Sequence, residues 1–261
     1  MLGIVDADGI LYRACWNVED LNEAKEKYLD ILQSYLTEGW CDESLCFVGG
    51  TGNWRYKIFS DYKGNRKPDP NRAKELEIIR ELREWLGKER LAIRSNGLEA
   101  DDLVRRKAVK CLQRDQNYVI ISADKDLDCI VGKHIRPNQR GDIKEYLVSE
   151  EDAEYNYWLQ VLIGDSTDNI KSPKKLGPKT AEKLLKGSSM SEWKRIIERE
   201  YRERCGDEWF HALMFTGSLI HIQRHQDDYF VWDKDKGNFW ECGLEGPPKC
   251  YEYKEKQNEQ A

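Results

Sequence analysis

Short apolar runs alternate with longer amphipathic segments over the first two thirds of the chain. The runs are almost continuously hydrophobic, which is typical of strands in a parallel sheet covered on both faces. They occur at residues 2–5, 45–48, 91–93 and 118–121. The amphipathic segments carry apolar residues at three- and four-residue spacing and predict helices at residues 21–36, 73–86 and 100–112. Strands that alternate with helices predict an α/β fold with a doubly wound, mostly parallel sheet.

Helical patterns replace the strands after about residue 146. Ser149, with Asp152 three residues later, predicts a capped helix that runs to about residue 163. Pro178 and Gly187 suit the start and the end of another helix. Further elements are predicted as helices at residues 179–186, 191–204 and 208–223 and as a hairpin at residues 229–232 and 238–241. We therefore predict an α/β domain at residues 1–148 and a helical region with a late hairpin and a polar tail at residues 149–261.

The composition is typical of a highly charged globular protein. Hydrophobic residues make up 39% of the 261 residues and charged residues 34%, and no apolar run approaches the roughly 18 residues that a membrane span needs. The N-terminal segment has no basic stretch and reaches an acid at Asp6, unlike a secretory signal. The eight cysteines form no CxxC pair and no zinc-type spacing. We therefore expect a cytoplasmic protein with reduced, structural cysteines and take a monomer as the default.

The distribution of charge favours a nucleic-acid partner more than the total does. A net charge of −6 argues weakly against such a partner, but a local basic patch is the usual footprint of a nucleic-acid site. Residues 171–186 contain six lysines and the single acid Glu182. Residues 55–74 are also rich in lysine and arginine. Two basic stretches thus stand out in an acidic chain.

Acidic residues recur near the ends of the predicted strands. In an open α/β sheet the reactive crevice lies outside the carboxyl ends of the strands. A cap, a turn or a solvated position is the better explanation for any one of these acids, but four separate segments favour a common site. The stretch GLEADDLV alone carries three acids within four residues, more than a helix cap needs. The candidate acids are Asp6, Glu99, Asp101, Asp102, Asp124, Asp126, Asp165 and Asp168.

A cluster made only of carboxylates suits hard divalent cations such as Mg²⁺ or Mn²⁺, which bridge to phosphate oxygens. Two such ions about 4 Å apart can stabilise both the entering and the leaving oxygen of a phosphodiester displacement.

The basic stretches contain two motifs that suit phosphate. In DYKGNRK, Lys63 and Arg66 could reach a scissile phosphate, although a solvated loop explains this motif equally well. In LGPKTAEK, a glycine turn opens a helix whose backbone N–H groups can bind a phosphate while the lysines contact its neighbours.

With these motifs in family order, the sequence resembles the phage 5′→3′ exonucleases and the wider flap endonuclease family, which includes the 5′ nuclease domain of bacterial DNA polymerase I. The motifs are IVDADG, DYKGNRK, GLEADDLV, SADKDLD and GDSTDN followed by LGPKTAEKLL. The resemblance implies a two-metal nuclease that acts on DNA with 5′ ends, flaps or nicks and uses two Mg²⁺ ions, for which Mn²⁺ can substitute. It further implies a role in phage DNA replication, recombination or RNA primer removal, in the host cytoplasm.

The resemblance also implies roles for individual residues. The eight acids match metal ligands, and Lys63 and Arg66 match the basic pair that faces the scissile phosphate. A helix–three-turn–helix that grips the duplex backbone, with a K⁺ ion, falls at residues 171–183. The DNA-binding residues expected from this comparison are Tyr62, Lys67, Lys171, Lys174, Lys175, Gly177, Lys179, Thr180 and Lys183.

Three features depart from the family pattern. Gly50 stands where the family commonly has an aspartate, so we interpret it as the position of a missing metal ligand. The alternative is that the glycine is there for the backbone, which can adopt positive φ angles that a side chain would disfavour. The turn before LGPKTA reads KSPKK instead of being rich in glycine, and only 32 residues separate Arg66 from Glu99, which leaves little room for a long helical arch over the 5′ strand.

Two alternative functions stay open at this point. A non-catalytic or weakly catalytic binder of branched DNA would keep the basic helical motif and lose metal ligands. An RNase H-like 5′ nuclease would act on RNA–DNA hybrids and would depend on contacts to the 2′-hydroxyl.

Overall fold

The structure is a computed structural model that describes residues 1–67, 69–138, 142–171, 173, 176–232 and 240–242. The described residues form two compact units. Unit 1 takes in Met1–Asn53, Lys67–Asn156 and Ile222–His225, whereas unit 2 takes in Trp54–Arg66, Tyr157–His221 and the residues from Gln226 onward. The domains at residues 1–148 and 149–261 stay a prediction, since each unit draws on segments from both.

Unit 1 contains a six-stranded sheet in the order β3-β2-β1-β4-β5-β6. All neighbouring strands are parallel except β5 and β6, which are antiparallel. This confirms the predicted doubly wound, mostly parallel sheet. The strands are β1 (Leu2–Asp6), β2 (Glu43–Thr51), β3 (Ile93–Asn96), β4 (Tyr118–Ile121), β5 (Gly132–Pro137) and β6 (Ile143–Val148).

The hydrophobic pattern identified the strands buried on both faces and missed the two at one edge. β1 and β4 are buried throughout, as their continuous apolar runs predicted. β5 and β6 pair as a hairpin at the edge of the sheet and include the charged residues Lys133 and Arg136 in β5 and Lys144 and Glu145 in β6, so neither has a continuous apolar run. β3, at the opposite edge, begins at Ile93 instead of residue 91 and has one buried residue, Ser95.

The helices follow the predicted spacing, with two additional short helices, one directly after β1 and one after β2. They are α1 (Asp8–Ala14), α2 (Leu21–Glu38), α3 (Arg55–Ile58), α4 (Ala73–Lys88), α5 (Ala100–Gln113), α6 (Glu150–Ile163), α7 (Pro178–Lys186), α8 (Met190–Cys205) and α9 (Trp209–Ile220). In unit 1, apolar side chains of α1, α2 and α4 form a core with β1, β2 and β4, while α5 contacts β1, β2 and β4. The carboxyl ends of the central strands and the starts of α1 and α5 therefore meet at one edge.

The predicted helix boundaries are largely confirmed where they rest on capping residues. Ser149 and Asp152 cap α6 reciprocally, and α7 starts at Pro178 and has Gly187 as its C-cap. In unit 2, a short antiparallel pair, β7 (Asp228–Phe230) and β8 (Trp240–Cys242), stands at the predicted late hairpin, whose residues 233–239 lie outside the described part. No helix among the described residues is long and apolar enough to cross a membrane.

Candidate active site

Of the three acids at the start of α5, Glu99 and Asp102 cap the helix and Asp101 does not. Glu99 is the N-cap, and its side chain and that of Asp102 form a reciprocal capping box. Asp102 is fully buried, and its two carboxylate oxygens accept hydrogen bonds from the backbone N–H of Gln223 (2.9 Å) and of Glu99 (3.1 Å). Glu99 and Asp102 therefore stabilise the entry into α5, whatever else they do.

Asp101 is the acid that the helix cap does not use. Its side chain is partly buried and has no hydrogen bond to any of the described residues. Burial raises the pKa of Asp101 well above its usual range, and the negative charges of Asp6, Glu99, Asp124 and Asp102 raise it further. Any cation that comes close to a carboxylate in this environment stabilises its charged form.

Asp6 lies next to this crowded acid at the carboxyl end of β1. Its side chain is 7% exposed and accepts hydrogen bonds from the Ser122 hydroxyl (2.8 Å) and from the backbone N–H of Asp8 (3.2 Å). Burial raises the pKa of Asp6 to about 7, and the charges of Asp8 and Asp124 also raise it. The predicted convergence of acids from β1, from the loop after β4 and from the start of α5 therefore occurs within unit 1.

Asp124 and Asp126 follow β4 and open a short 3₁₀ helix at Lys125–Cys129. The Asp124 carboxylate caps this turn by accepting from the backbone N–H of Asp126 (2.8 Å). Its own backbone N–H donates to the Ser122 hydroxyl (2.9 Å), which in turn donates to Asp6. Ser122 thus connects two of the candidate acids.

Three residues of this cluster, Asp8, Arg83 and Ser122, were not predicted from the sequence. Asp8 is the first residue of α1, and its carboxylate accepts from the backbone N–H of Gly49 (2.8 Å) and forms an ion pair with Arg83 (2.8 Å). Asp8 had a signal, because it stands two residues past β1 in the motif that supplied Asp6. Arg83 and Ser122 had none, since their contacts join positions 75 and 116 residues apart.

The donor set of unit 1 fits a hard divalent cation in its chemistry. It consists of carboxylate oxygens, and Asp101 has no competing partner among the described residues. In the same part of the chain, no three Asp, Glu, His or Cys side chains form a ready-made metal-binding group. The fit therefore rests on the type of donor and on the mutual repulsion of the acids.

The other two candidate acids, Asp165 and Asp168, lie in unit 2 on a tight turn closed by backbone hydrogen bonds between Asp165 and Ile170. The Asp165 carboxylate accepts from the backbone N–H of Thr167 (2.7 Å) and so holds the turn itself. Asp168 instead accepts from the Tyr62 hydroxyl (2.8 Å). Despite their three-residue spacing, the two acids have different local partners.

Lys63 and Arg66 both form ion pairs with the Asp168 carboxylate. The Lys63 ammonium is 3.6 Å from the Asp168 carboxylate, and the Arg66 guanidinium forms a direct ion pair with it. The backbone N–H of Lys63 donates to the Asp168 carbonyl (3.0 Å), so the main chain fixes the pair as well. The predicted basic pair is thus held as a unit.

The structure places the other predicted DNA-binding residues in different environments. Tyr62 is 2% exposed and packs edge-on against Tyr56, so its burial does not favour a contact between the ring and DNA, and its role in DNA binding stays a prediction. Gly177 is the N-cap of α7, and a Cβ atom added to it would meet no atom within 4 Å. Exposed positions are Lys67, Lys171, Gly177, Lys179, Thr180 and Lys183; Lys174 and Lys175 lie outside the described residues.

The surroundings of Gly50 favour a backbone that requires glycine over a missing metal ligand. The Gly50 N–H donates to the Ser95 hydroxyl (2.8 Å), which places β2 very close to β3. A Cβ atom on Gly50 would lie 1.7 Å from the Ser95 carbonyl oxygen and 2.8 Å from the carbonyl carbon. The backbone of β3 therefore occupies the space of any side chain, and this close approach explains the glycine.

We expect Gly50→Asp to destabilise the protein by about 1–3 kcal/mol or more, because the backbones of β2 and β3 must separate. Thermal melting in EDTA measures this change. The matched control is Gly87→Asp on α4, where an added Cβ meets no atom within 4 Å. Melting of Gly50→Asp like the control, together with half-maximal activity at a lower Mg²⁺ concentration, would instead restore the missing-ligand interpretation.

Comparison with known proteins identifies relatives of this arrangement. A family model for the N-terminal resolvase-like domain of 5′-3′ exonucleases matches residues 1–157. A 5′-3′ exonuclease of Buchnera aphidicola is 29% identical over 201 residues, which are 70% of this chain and 69% of that protein. DNA polymerase I of Thermus thermophilus is 27% identical over 197 residues, which are 70% of this chain and 23% of the polymerase. The chain thus matches less than a quarter of the polymerase.

Solved structures show the same fold. The T5 D15 protein co-crystallised with metal ions has a TM-score of 0.66 and 18% identity and covers 84% of this chain and 88% of its own. The bacteriophage T5 D15 flap endonuclease in complex with DNA and metal ions has a TM-score of 0.65 at 19% identity, with the same coverage.

Proposed function

The chain belongs to the 5′-3′ exonuclease family and is a nuclease, and from this premise we propose that it hydrolyses phosphodiester bonds of DNA near a 5′ end with the help of bound Mg²⁺. The observation that carries this proposal is the Asp101 carboxylate. It is partly buried, it has no hydrogen bond to the described residues, and four other acids raise its pKa. A divalent cation would remove this repulsion.

Asp6, Asp101 and Asp124 are the residues that would hold Mg²⁺ or Mn²⁺ in unit 1. Glu99, Asp102 and Asp126 are further proposed ligands. The Glu99 and Asp102 carboxylates also cap α5, and the Asp124 carboxylate also caps the 3₁₀ helix at Lys125–Cys129. A bound ion supplies Lewis-acid polarisation of the phosphodiester. We propose two such ions and include Asp165 and Asp168 as ligands, on the strength of the family resemblance.

The residues around the acids have positioning roles in this proposal. Ser122 fixes the orientation of the Asp6 carboxylate by donating to it, and Arg83 and the Gly49 N–H fix Asp8. In unit 2, Asp168 holds Lys63 and Arg66 together, so their positive charges are placed in advance. Preorganised cations of this kind stabilise negative charge that develops on a phosphate.

The start of α7 is proposed to bind the DNA backbone, as part of a helix–three-turn–helix with a K⁺ ion. No side chain caps this helix among the described residues, so its first N–H groups can bind a phosphate oxygen. Lys179 and Lys183 are exposed on α7, while Ala181 and Leu185 are buried on its other side. One face of the helix therefore presents positive charge to the backbone of a duplex.

Lys179→Ala should weaken the binding of duplex DNA about equally for different sequences and should lower the salt dependence of binding by about one phosphate contact. Fluorescence anisotropy in EDTA at several salt concentrations measures both effects. Lys186→Ala is the control, because Lys186 stands at the far end of the same helix and is paired with Glu182 (3.3 Å). Equal effects of the two substitutions would argue against binding at the helix start.

The proposed substrates are DNA molecules with 5′ ends, flaps or nicks, as expected for replication, recombination or primer removal. The T5 D15 flap endonuclease was crystallised with DNA, and this supports a flap substrate for the present chain. A monomer suffices for the chemistry. Cleavage of RNA–DNA hybrids is the alternative activity that the same carboxylates would permit.

Labelled 5′-flap DNA, nicked duplex DNA and an RNA–DNA hybrid, each incubated with and without Mg²⁺, test the proposed function. We expect Mg²⁺-dependent cleavage of the flap or of the nicked strand, with short products from the 5′ end. Preferred cleavage of the hybrid would assign the chain as a ribonuclease. Tight binding of the flap without cleavage in Mg²⁺ or Mn²⁺ would make it a binder of branched DNA.

A further inference from the structure

A large groove of about 1,310 Å³ lies within unit 1 and begins at the candidate metal ligand Asp6. Its walls are α1, Lys27 and Tyr35 of α2, the end of β4 and the hairpin of β5 and β6. The groove is larger than the roughly 300–1,000 Å³ typical of small-molecule pockets. Its size suits a short length of polymer that is continuous with the active site.

The charge of the groove is opposite to that of the chain. Five cationic side chains line it, against the two acids Asp6 and Asp142, an excess of three positive charges. The chain as a whole carries −6. The five cations are Arg13, Lys27, Arg72, Arg136 and Lys144.

Acids outside the groove neutralise only some of these cations. Arg72 is paired with Glu75, and Arg136 with Asp128. Arg13 donates to the Tyr35 hydroxyl (2.7 Å) and Lys27 to the Trp16 carbonyl (2.6 Å), which are neutral oxygens. Within the described residues, neither Arg13 nor Lys27 forms a salt bridge. Their charge is available to an anionic ligand.

Two aromatic side chains line the groove and are exposed. Tyr12 on α1 is 46% exposed, and Trp16, just after α1, is 60% exposed. A spacing of four residues places them on the same side of this helical segment. At the hairpin wall, the exposed Lys144 ammonium lies over the Tyr146 ring, 5.1 Å from its centroid. Exposed aromatic rings beside cations that have no acidic partner are typical of surfaces on which unpaired bases stack.

We propose that this groove binds the single-stranded DNA segment that adjoins the bond to be cleaved. The cations would contact its phosphates, and Trp16 and Tyr12 would stack on its bases. Unpaired bases are required for stacking, so the groove favours a single strand over a duplex. The inference rests on the proposed nuclease function, because the end of the groove at Asp6 is what connects it to cleavage.

Binding of a labelled 12-nucleotide oligothymidylate to the full chain in EDTA tests the groove separately from cleavage. Trp16→Ala should weaken this binding roughly 5-fold or more, the effect of losing one base stack of about 1 kcal/mol. The control is Trp40→Ala, since Trp40 is 79% exposed and does not line the groove. A fully paired hairpin duplex should bind both variants and the unchanged protein with equal affinity.

The charges are tested by the double substitution Arg13→Gln with Lys144→Gln. It should lower the slope of log affinity against log salt by about 1.4 for the oligothymidylate, since each phosphate contact on a single strand contributes about 0.7. The double control is Lys88→Gln with Lys110→Gln, which removes two exposed lysines of unit 1 outside the groove. Thermal melting of each variant verifies that it is folded.

The proposal is overturned if Trp16→Ala binds the oligothymidylate as tightly as Trp40→Ala does. Equal weakening of oligothymidylate and duplex would also overturn it, because it would indicate general electrostatic attraction. These outcomes are independent of the proposed function, whose failure would appear as an absence of flap cleavage by the unchanged protein in Mg²⁺.

Discussion

Asp101→Asn should reduce the rate of DNA cleavage at saturating Mg²⁺ by roughly two or more orders of magnitude, the size expected when metal-based charge stabilisation of several kcal/mol is impaired. The same substitution should make the metal-free protein more stable at pH 8. Its side chain has no hydrogen bond to lose among the described residues, and burial and four neighbouring acids disfavour its charge. Loss of activity with a gain of stability distinguishes a ligand from a structural residue.

The pH dependence of protein stability tests the crowding of acids at this site without DNA. Asp6 has a pKa of about 7 in the folded protein, so the folded state binds more protons than the unfolded state between about pH 4 and pH 7. The stability that protonated Asp6 provides is therefore fully present at low pH and is lost as the pH rises through this range. Melting in EDTA should therefore occur at a higher temperature at pH 5 than at pH 8.

Asp30→Asn is the matched control for both measurements, because Asp30 is an exposed acid on α2 away from the cluster. Mg²⁺ at pH 8 should raise the melting temperature of the unchanged protein and of the control, by mass action on the folded state. It should raise that of Asp101→Asn much less. A variant that cleaves at the normal rate, or that is less stable than the control in EDTA at pH 8, would exclude Asp101 as a metal ligand.

The sequence predicted the central sheet because burial on both faces leaves a continuous apolar run. That signal is local, and it is strong in β1 and β4. The edge hairpin of β5 and β6 was not predicted, since charged residues interrupt its apolar runs and its strands are held by pairing with each other. Helix starts with two capping residues, such as Ser149 and Asp152, were predictable because their contacts span three residues.

The sequence predicted which acids lie at the candidate site, but it did not predict which of them also form structural hydrogen bonds. Topology placed Asp6, Asp101 and Asp124 at one edge. Besides burial, the charge of Asp124 raises the pKa of both Asp6 and Asp101, which agrees with that placement. The sequence could not show that the Asp102 carboxylate accepts hydrogen bonds from two backbone N–H groups, because one of them belongs to Gln223, 121 residues away.

Gly50 illustrates the limit of comparison by position. An aspartate in relatives invited the interpretation of a lost ligand, whereas the physical cause of the glycine is the Ser95 backbone, 1.7 Å from where a Cβ would be. A close approach between neighbouring strands leaves no mark on the sequence other than the glycine itself. An acid that reaches this strand end comes from elsewhere: Asp8, on α1, accepts from the Gly49 N–H.

Lys63→Ala should lower the single-turnover rate of cleavage by roughly 10²–10³-fold while leaving the affinity for DNA in EDTA nearly unchanged. The loss of one preorganised donor to a developing charge costs roughly 2.7–4 kcal/mol in the transition state. Lys63 is preorganised because its backbone N–H donates to the Asp168 carbonyl and its ammonium lies 3.6 Å from the Asp168 carboxylate. Saturating enzyme and Mg²⁺ in rapid-quench experiments isolate the chemical step.

Lys67→Ala is the control for this experiment, because Lys67 is an exposed lysine in the same motif, four residues further along the chain. It should affect binding slightly and the single-turnover rate hardly at all. Removal of Lys63 leaves Asp168 with its ion pair to Arg66, so the turn at residues 165–170 should keep its structure and the melting temperature should change little. If Lys63→Ala altered only the affinity for DNA, Lys63 would be a contact to the backbone like Lys179, and stabilisation of the scissile phosphate would have to come from Arg66 and the metal ions.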